Sequence, residues 1–234
     1  MYPSTGTVTE IRSRFHDELT RLEQLALEGI DLVVDQVDRT TEMLRHHDVE
    51  LAQLVVMADA RIDARYLDLH AGVISLLALQ SPVATDLRLV TSLLYIARHL
   101  ERMGDQCVNV AKLIPLSGWE PPKDQQLVEE IVALAEGTRS VVRVARESFA
   151  RRDIELAGSL RELDEDIDAR NKTIFREAIA LGGDADRREW AMTMVMAARA
   201  FERLADNAVD IGEHVVFLAT GRYRGLDFSS RHEL

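Results

Sequence analysis

The chain has 234 residues, and its 28 Lys and Arg against 40 Asp and Glu give a formal net charge of −12. This acidic balance argues against nucleic-acid binding, which needs clustered cations, and against docking on anionic lipid through a basic face. Apolar residues make up 47% of the chain, which is enough for a sizeable core in one large domain or two small ones.

Cys107 is the single cysteine, so no disulfide forms within the chain and a reducing compartment, the cytoplasm, is expected. The N-terminal segment has no apolar core of the kind found in signal peptides, so we expect none. No stretch of about 18 apolar residues exists, which argues against direct insertion in a membrane.

The chain has the composition and periodicity of α-helix throughout. Long stretches rich in Leu, Ala, Glu and Arg repeat their apolar residues with a period of 3.6, and the five prolines lie between them. The first predicted helix covers about residues 9–45, the second runs from its N-cap Asp48 to Gln80, and the third from Pro82 to about Ile114. The fourth begins at Asp124 and the fifth at Asp153. Gly182-Gly183-Asp184 separates the fifth helix from the sixth, which ends at the left-handed cap Gly221.

Short connections between long helices predict antiparallel neighbours in bundles. We therefore predict an all-α fold of six long helices in two tandem three-helix bundles. The predicted boundaries are 1–114 for the first bundle, 115–123 for a linker, 124–221 for the second bundle and 222–234 for a polar tail.

The two halves of the chain repeat each other. Residues 48–65 and 153–170 are identical at nine of eighteen aligned positions, and residues 98–112 and 199–213 at five of fifteen. Two ordered windows that contain the same acidic residues indicate an internal repeat, with the same acidic pattern on the second and third helices of each bundle.

The repeated acids are pairs spaced four residues apart, which places both carboxylates of a pair on one face of a helix. They are Asp59 and Asp63, Glu101 and Asp105, Asp164 and Asp168, and Glu202 and Asp206. Helical geometry places most of them within the apolar stripe, where an unpaired charge is costly.

Protons, arginines or metal ions could neutralise these carboxylates. Arginines lie three residues before four of the acids, at Arg98, Arg102, Arg199 and Arg203, so salt bridges alone could satisfy them. A site of four carboxylates without cysteine would instead suit a hard or borderline ion such as Fe, Mn, Mg or Zn.

Several other polar residues are weaker candidates. Asn109 and Asp210 lie one turn beyond the acid pairs and could be additional ligands, and His70 and His214 extend the acidic rows. A further acidic stripe on the first helix lies well away from the apolar stripe, so we predict that it is solvated surface. Its members are Asp31, Asp35, Asp38 and Glu42.

Two motifs carry a family resemblance. The segment from Gln80 reads Q-S-P-V-A-T-D-L-R and is followed by L-E-R-M-G-D-Q-C-V-N-V-A, and the second half contains F-E-R-L-A-D-N-A-V-D-I-G-E. Over nearly its whole length the chain resembles the PhoU family, the accessory and regulatory proteins of the phosphate-specific transport system. The resemblance further implies that five residues of these motifs could contact partners: Pro82, Asp86, Arg88, Arg102 and Arg203.

The resemblance implies two three-helix bundles with multinuclear clusters of iron or zinc type on the acid pairs. Carried onto this chain, the ligands are Asp59, Asp63, Glu101, Asp105, Asp164, Asp168, Glu202 and Asp206. The second repeat departs from the pattern, because Ala205 stands where the first has Gly104 and no P-V-A-x-D-L-R segment precedes it.

The resemblance also implies a role without catalysis. When phosphate is plentiful, such a protein represses the phosphate-starvation response by bridging the transporter's ATPase subunit and a membrane sensor histidine kinase, and we expect a homodimer. One alternative is a carboxylate-bridged metalloenzyme, but none of the seven histidines follows a Glu at the Glu-x-x-His spacing of di-iron bundles. The other alternative is a metal-free helical scaffold.

Overall fold

The computed structural model describes residues 8–116, 123–183 and 185–222, and this part of the chain is helical and contains no strand. The helices are α1 (Val8–His46), α2 (Val49–Ala58), α3 (Ala60–Gln80), α4 (Ala84–Leu116), α5 (Gln125–Arg151), α6 (Ile154–Ala180) and α7 (Ala185–Thr220), with a 3₁₀ turn at Leu181–Gly183. The predicted all-α class is confirmed. None of the helices in these ranges is long and apolar enough to cross a lipid bilayer.

The predicted helix caps form as expected. Asp48, Asp124 and Asp153 each have an extended backbone, and each carboxylate accepts a hydrogen bond from the N–H three residues later, at 2.9, 3.0 and 3.0 Å. Gly221 has a φ of +70°, and its N–H donates to the carbonyl of Phe217 at 2.8 Å. These local bonds satisfy backbone groups that a helix end leaves without partners.

The start of α4 differs from the prediction that Pro82 is the first helical residue. Ser81 ends α3 in a left-handed conformation with a φ of 44°, and Ala84 has a φ of 49°. Two left-handed residues so close together reverse the chain, so α4 begins at Ala84, and the carbonyl of Val83 accepts the first bond, from the N–H of Asp86 at 3.2 Å.

The second predicted helix is divided into α2 and α3 at Asp59. The backbone of Asp59 stays helical, with φ −59° and ψ −32°, and its side chain makes no capping bond. Its carbonyl accepts from the N–H of Asp63 at 3.0 Å, so the helical hydrogen bonding resumes at once. The first carboxylate of the repeated pattern therefore lies at an interruption in its helix.

The helices pack as two groups that lie side by side. Helices α1 to α4 contact one another, as do α5 to α7, and the two groups meet where α4 packs on α7 and α1 packs on α5. Both contacts are antiparallel, since His99 meets Asn207 while Tyr95 meets His214, seven residues further along α7. The boundaries proposed for the two bundles stay predictions, because residues 117–122 and 223–234 lie outside the described ranges.

The acidic stripe of α1 has a role that its sequence did not indicate. It was predicted to be solvated surface, and Asp31 is indeed more than half exposed. However, both oxygens of Asp31 accept bonds from Arg146 of α5 at 3.0 and 3.1 Å, and Arg139 Nε lies 2.5 Å from Asp38 Oδ1. Ion pairs this exposed contribute at most about 1 kcal/mol each, but both of them join α1 to α5, at the contact between the two groups of helices.

The capping carboxylates allow a direct test of this description. Asp153→Ala should lower the free energy of unfolding by about 1 kcal/mol, because two N–H groups at the start of α6 lose their acceptor. Urea unfolding followed by circular dichroism measures the change. Asp153→Asn keeps an acceptor and should retain most of the stability, and Asp166→Ala, which removes an exposed carboxylate of α6, should be near neutral. An equal loss in the Asn and Ala variants would contradict the capping role.

Candidate functional site

The acids predicted for the first repeat lie together, in what we call the first carboxylate cluster: Asp59, Asp63, Glu101 and Asp105. Asp59 lies at the α2–α3 break, Asp63 in the first turn of α3, and Glu101 and Asp105 in the middle of α4. Burial, chiefly, and the charges of the other three acids together raise the pKa of Asp59 to about 6, against a smaller opposing effect of Lys112. The four carboxylates are therefore close enough to repel one another.

Gly104 allows Asp59 to approach α4 closely. A Cβ at this position would collide with Asp59 Oδ1 and would lie 3.2 Å from Ile62 Cδ1. Any larger residue would therefore have to displace the Asp59 carboxylate or the core residue beside it. The equivalent position in the second repeat is Ala205, which is fully buried, so the two repeats do not form this contact in the same way.

The second carboxylate cluster consists of Asp164, Asp168, Glu202 and Asp206, on α6 and α7. Glu202 is only 6% exposed, although it is ionisable. Burial, chiefly, together with the charges of Asp206, Asp168 and Asp164 and against the opposing effect of Arg199, raises the pKa of Glu202 to about 7. The repeat thus forms two carboxylate clusters from equivalent positions, each containing one acid whose pKa is raised.

Two of the arginines predicted as salt-bridge partners take up that role. Arg98 Nη1 lies 2.6 Å from Glu101 Oε1, and Arg199 pairs with Oε1 of Glu202. The second oxygen of each glutamate, Oε2, is buried without a hydrogen-bond partner, as is Oδ1 of Asp59. Buried carboxylate oxygens without a donor are costly, and a proton or a cation would remove that cost.

These residues fit a metal site in type and number. Each cluster offers four carboxylates, and oxygen ligands suit hard or borderline cations. In the side-chain conformations present, however, no three His, Cys, Asp or Glu residues of the described ranges converge closely enough to hold an ion. Metal binding would therefore require the carboxylates of a cluster to move closer together.

Among the weaker candidates, Asp210 lines the same opening between α4 and α7 as Asp206 of the second carboxylate cluster. Asp210 Oδ2 is 3.7 Å from His99 Nδ1, between α4 and α7, and Asp210 is not among the acids that raise the pKa of Glu202. Asn109 is exposed, and His70 is exposed beside the ring of Tyr66. The Cys107 thiol lies in the core, where burial raises its pKa to about 12, so it is not a thiolate ligand at neutral pH.

A cleft between α4 and α7 brings together residues that the sequence did not connect. It encloses about 490 Å³. His214 is buried, stacks on Tyr95 with ring centroids 4.9 Å apart, and lies 5.9 Å from the ring of His99. Burial and His99 lower the pKa of His214 to about 4. No sequence signal could have found this cleft, because its two walls come from different repeats.

The motif residues that carried the resemblance occupy two places. Arg88 contacts Gly221 at the end of α7, and Asp86 lies in the first turn of α4, after Pro82. Arg102 and Arg203 are exposed and line a second opening of about 380 Å³ between α4 and α7.

Comparison with known proteins gives consistent matches. The family model "PhoU domain" matches twice, at residues 27–114 and 131–215. A relative from Xylella fastidiosa (strain 9a5c), a phosphate-specific transport system accessory protein PhoU homolog, is 31% identical over 208 residues, which are 88% of this chain and 87% of the relative.

Two solved structures have the same fold. The crystal structure of PhoU from Pseudomonas aeruginosa superposes with a TM-score of 0.82 at 30% identity, over 89% of this chain and all of that one. The phosphate transport system regulatory protein PhoU from Streptococcus pneumoniae gives a TM-score of 0.83 at 28% identity, over 91% of this chain and all of that one.

The raised pKa of Glu202 predicts how stability depends on pH in protein kept free of metal by a chelator. The folded state holds the Glu202 proton with a pKa of about 7, against 4.5 for an unperturbed glutamate. The contribution of Glu202 to stability is therefore fully present below about pH 4.5 and is lost as the pH rises through 7. Glu202→Gln cannot ionise, so its stability relative to wild type should increase by on the order of 3 kcal/mol between pH 4.5 and pH 8.

Urea unfolding of wild type and variant across this pH range measures the difference. Glu189→Gln removes an exposed carboxylate of the same helix and should give a difference that does not change with pH. A difference for Glu202→Gln that is equally flat would show that the carboxylate is not held in its protonated form.

Proposed function

The chain belongs to the PhoU family, and we propose that it acts as a regulatory accessory protein of phosphate transport. The match of the PhoU domain to both repeats carries this proposal, together with relatives that are named for that role over most of their length. The family is accessory and regulatory and not enzymatic, in agreement with the prediction of a role without catalysis.

The finer proposal is that the protein represses the phosphate-starvation response in the cytoplasm when phosphate is plentiful. It would do so as a homodimer that bridges the phosphate transporter's ATPase subunit and a membrane sensor histidine kinase. The presence of two tandem bundles supports this proposal, because each bundle can present its own surface to one partner.

We also propose that the two carboxylate clusters bind iron or zinc. The supporting observation is the set of buried oxygens without donors, on Asp59, Glu101 and Glu202. An ion would replace the proton that the raised pKa values of Asp59 and Glu202 indicate, since binding of a cation and of a proton to one carboxylate compete. It would also link α4 to α2 and α3, and α7 to α6.

A metal-free scaffold is the competing interpretation, and the ion pairs Arg98–Glu101 and Arg199–Glu202 support it. These pairs neutralise one oxygen of each glutamate without any ion. The two interpretations differ in what a chelator does, because an ion that binds only the folded state stabilises it by mass action.

Metal analysis and thermal unfolding distinguish them. Wild type loaded with iron or zinc and then desalted should retain metal, and a chelator should lower its melting temperature. At a free ion concentration 100 times the dissociation constant, the lost stabilisation is about 3 kcal/mol. Glu101→Gln/Asp105→Asn should remove the part due to the first cluster, whereas Asp166→Asn, outside both clusters, should behave as wild type. If wild type retains no metal and melts at one temperature with and without chelator, the metal proposal is wrong.

A deletion strain with a phosphate-response reporter tests the regulatory role. Deletion should switch the reporter on in high phosphate, and the wild-type gene should restore repression. Affinity capture of the protein from cells grown in high phosphate should recover both the transporter ATPase subunit and the sensor kinase. Unchanged repression in the deletion strain would contradict the role, and recovery of only one partner would contradict bridging.

A further inference from the structure

A groove between α6 and α7 leaves apolar side chains exposed next to the second carboxylate cluster. It encloses about 390 Å³. We call it the α6–α7 groove, and its lining residues are Asn171, Lys172, Phe175, Arg176, Val195 and Arg199. The side chain of Phe175 is 48% exposed, although an aromatic ring gains most when it is buried.

The apolar surface continues away from the cluster. Ile179 on α6 and Met192 on α7 lie between the groove and the 3₁₀ turn that joins these helices, and they are 62% and 52% exposed. Ile179 is four residues after Phe175, so both side chains lie on one face of α6. Helices that present apolar rows on both sides of a groove resemble the surfaces that bind amphipathic helices.

Basic side chains surround the apolar residues of the α6–α7 groove, although the chain carries a net charge of −12. Arg199 pairs with Glu202, but Lys172 and Arg176 make no ion pair within the described ranges. Several other arginines, including Arg139 and Arg146, pair with acids of a neighbouring helix. Two cations without acidic partners beside an exposed aromatic ring provide charge for a partner to neutralise.

The first repeat does not have this combination. Aligned with the second, it carries Leu67 in place of Lys172, Ala71 in place of Arg176 and His70 in place of Phe175. The carboxylate clusters are shared by both repeats, whereas the basic apolar groove belongs to the second repeat alone. The cations are therefore not required by the cluster.

We propose that the α6–α7 groove binds an acidic amphipathic helical segment of a partner protein. Apolar side chains of that segment pack on Phe175 and Val195, and its Asp or Glu residues pair with Lys172 and Arg176. Arg199 joins the groove to Glu202 of the second carboxylate cluster. The proposal rests on Lys172, Arg176 and Phe175, however, and does not depend on the role in phosphate regulation.

The charge of the molecule favours a protein segment over a lipid surface. An acidic chain is repelled by anionic membranes, and two cations in a concave groove cannot offset that repulsion over an extended plane. An acidic peptide brings its charges directly to Lys172 and Arg176 while its apolar side chains enter the groove. Its affinity should fall with salt, because both cations are solvent-exposed.

A phage-displayed library of random 16-residue peptides, selected on the wild-type protein, tests the proposal. Peptides that combine Asp or Glu with apolar residues at helical spacing should be enriched. Fluorescence anisotropy of an enriched peptide should then show binding weakened about tenfold or more by Lys172→Ala/Arg176→Ala and also by Phe175→Ala. Thermal unfolding confirms that each variant is folded.

The matched control removes two exposed arginines elsewhere, in Arg143→Ala/Arg170→Ala, and should leave peptide affinity within about twofold of wild type. Three results would overturn the proposal: no enrichment of acidic peptides, equal binding to the groove and control variants, or no loss with Phe175→Ala. Binding to phosphatidylserine vesicles that requires Lys172 and Arg176 would also overturn it, in favour of a membrane surface.

Discussion

The antiparallel contact between α4 and α7 is the constraint on which the arrangement depends. Each of these helices packs on the other and on the remaining helices of its own group, so almost every side is occupied. Glu101 therefore faces α2 and α3, and Glu202 faces α6, on the outer sides of the central pair. In the first carboxylate cluster Asp63 and Asp105 are exposed, whereas Glu202 of the second cluster is buried. The histidine cleft lies between α4 and α7.

Burying acids on these faces leaves the protein with charge that its own residues only partly neutralise. Arg98 and Arg199 each pair with one carboxylate oxygen, of Glu101 and Glu202 respectively. The second oxygen of each glutamate has no hydrogen-bond donor. The resulting pKa values, about 6 for Asp59 and about 7 for Glu202, bring these carboxylates into the pH range of the cell. Their charge is therefore sensitive to any cation that competes with a proton.

The sequence predicted those features that depend on neighbouring residues along the chain. Asp48, Asp124 and Asp153 cap helices because a capping bond spans three residues, and the acid pairs were found because helical spacing and the repeat both preserve them. The ion pair between Arg146 and Asp31 and the stacking of His214 on Tyr95 could not be predicted, since each joins residues from different repeats. Their partners become known only once α1 meets α5 and α4 meets α7.

The two repeats differ in the core, where Ala205 stands in place of Gly104, and also at exposed positions beside the carboxylate clusters. Carboxylates at a spacing of four must be present on both helices of a pair for a cluster to form, so each repeat carries the same four positions. The exposed residues beside the clusters carry no such requirement, and there Leu67 and Ala71 correspond to Lys172 and Arg176. One duplicated scaffold thus combines two equivalent carboxylate clusters with two outer faces of different charge.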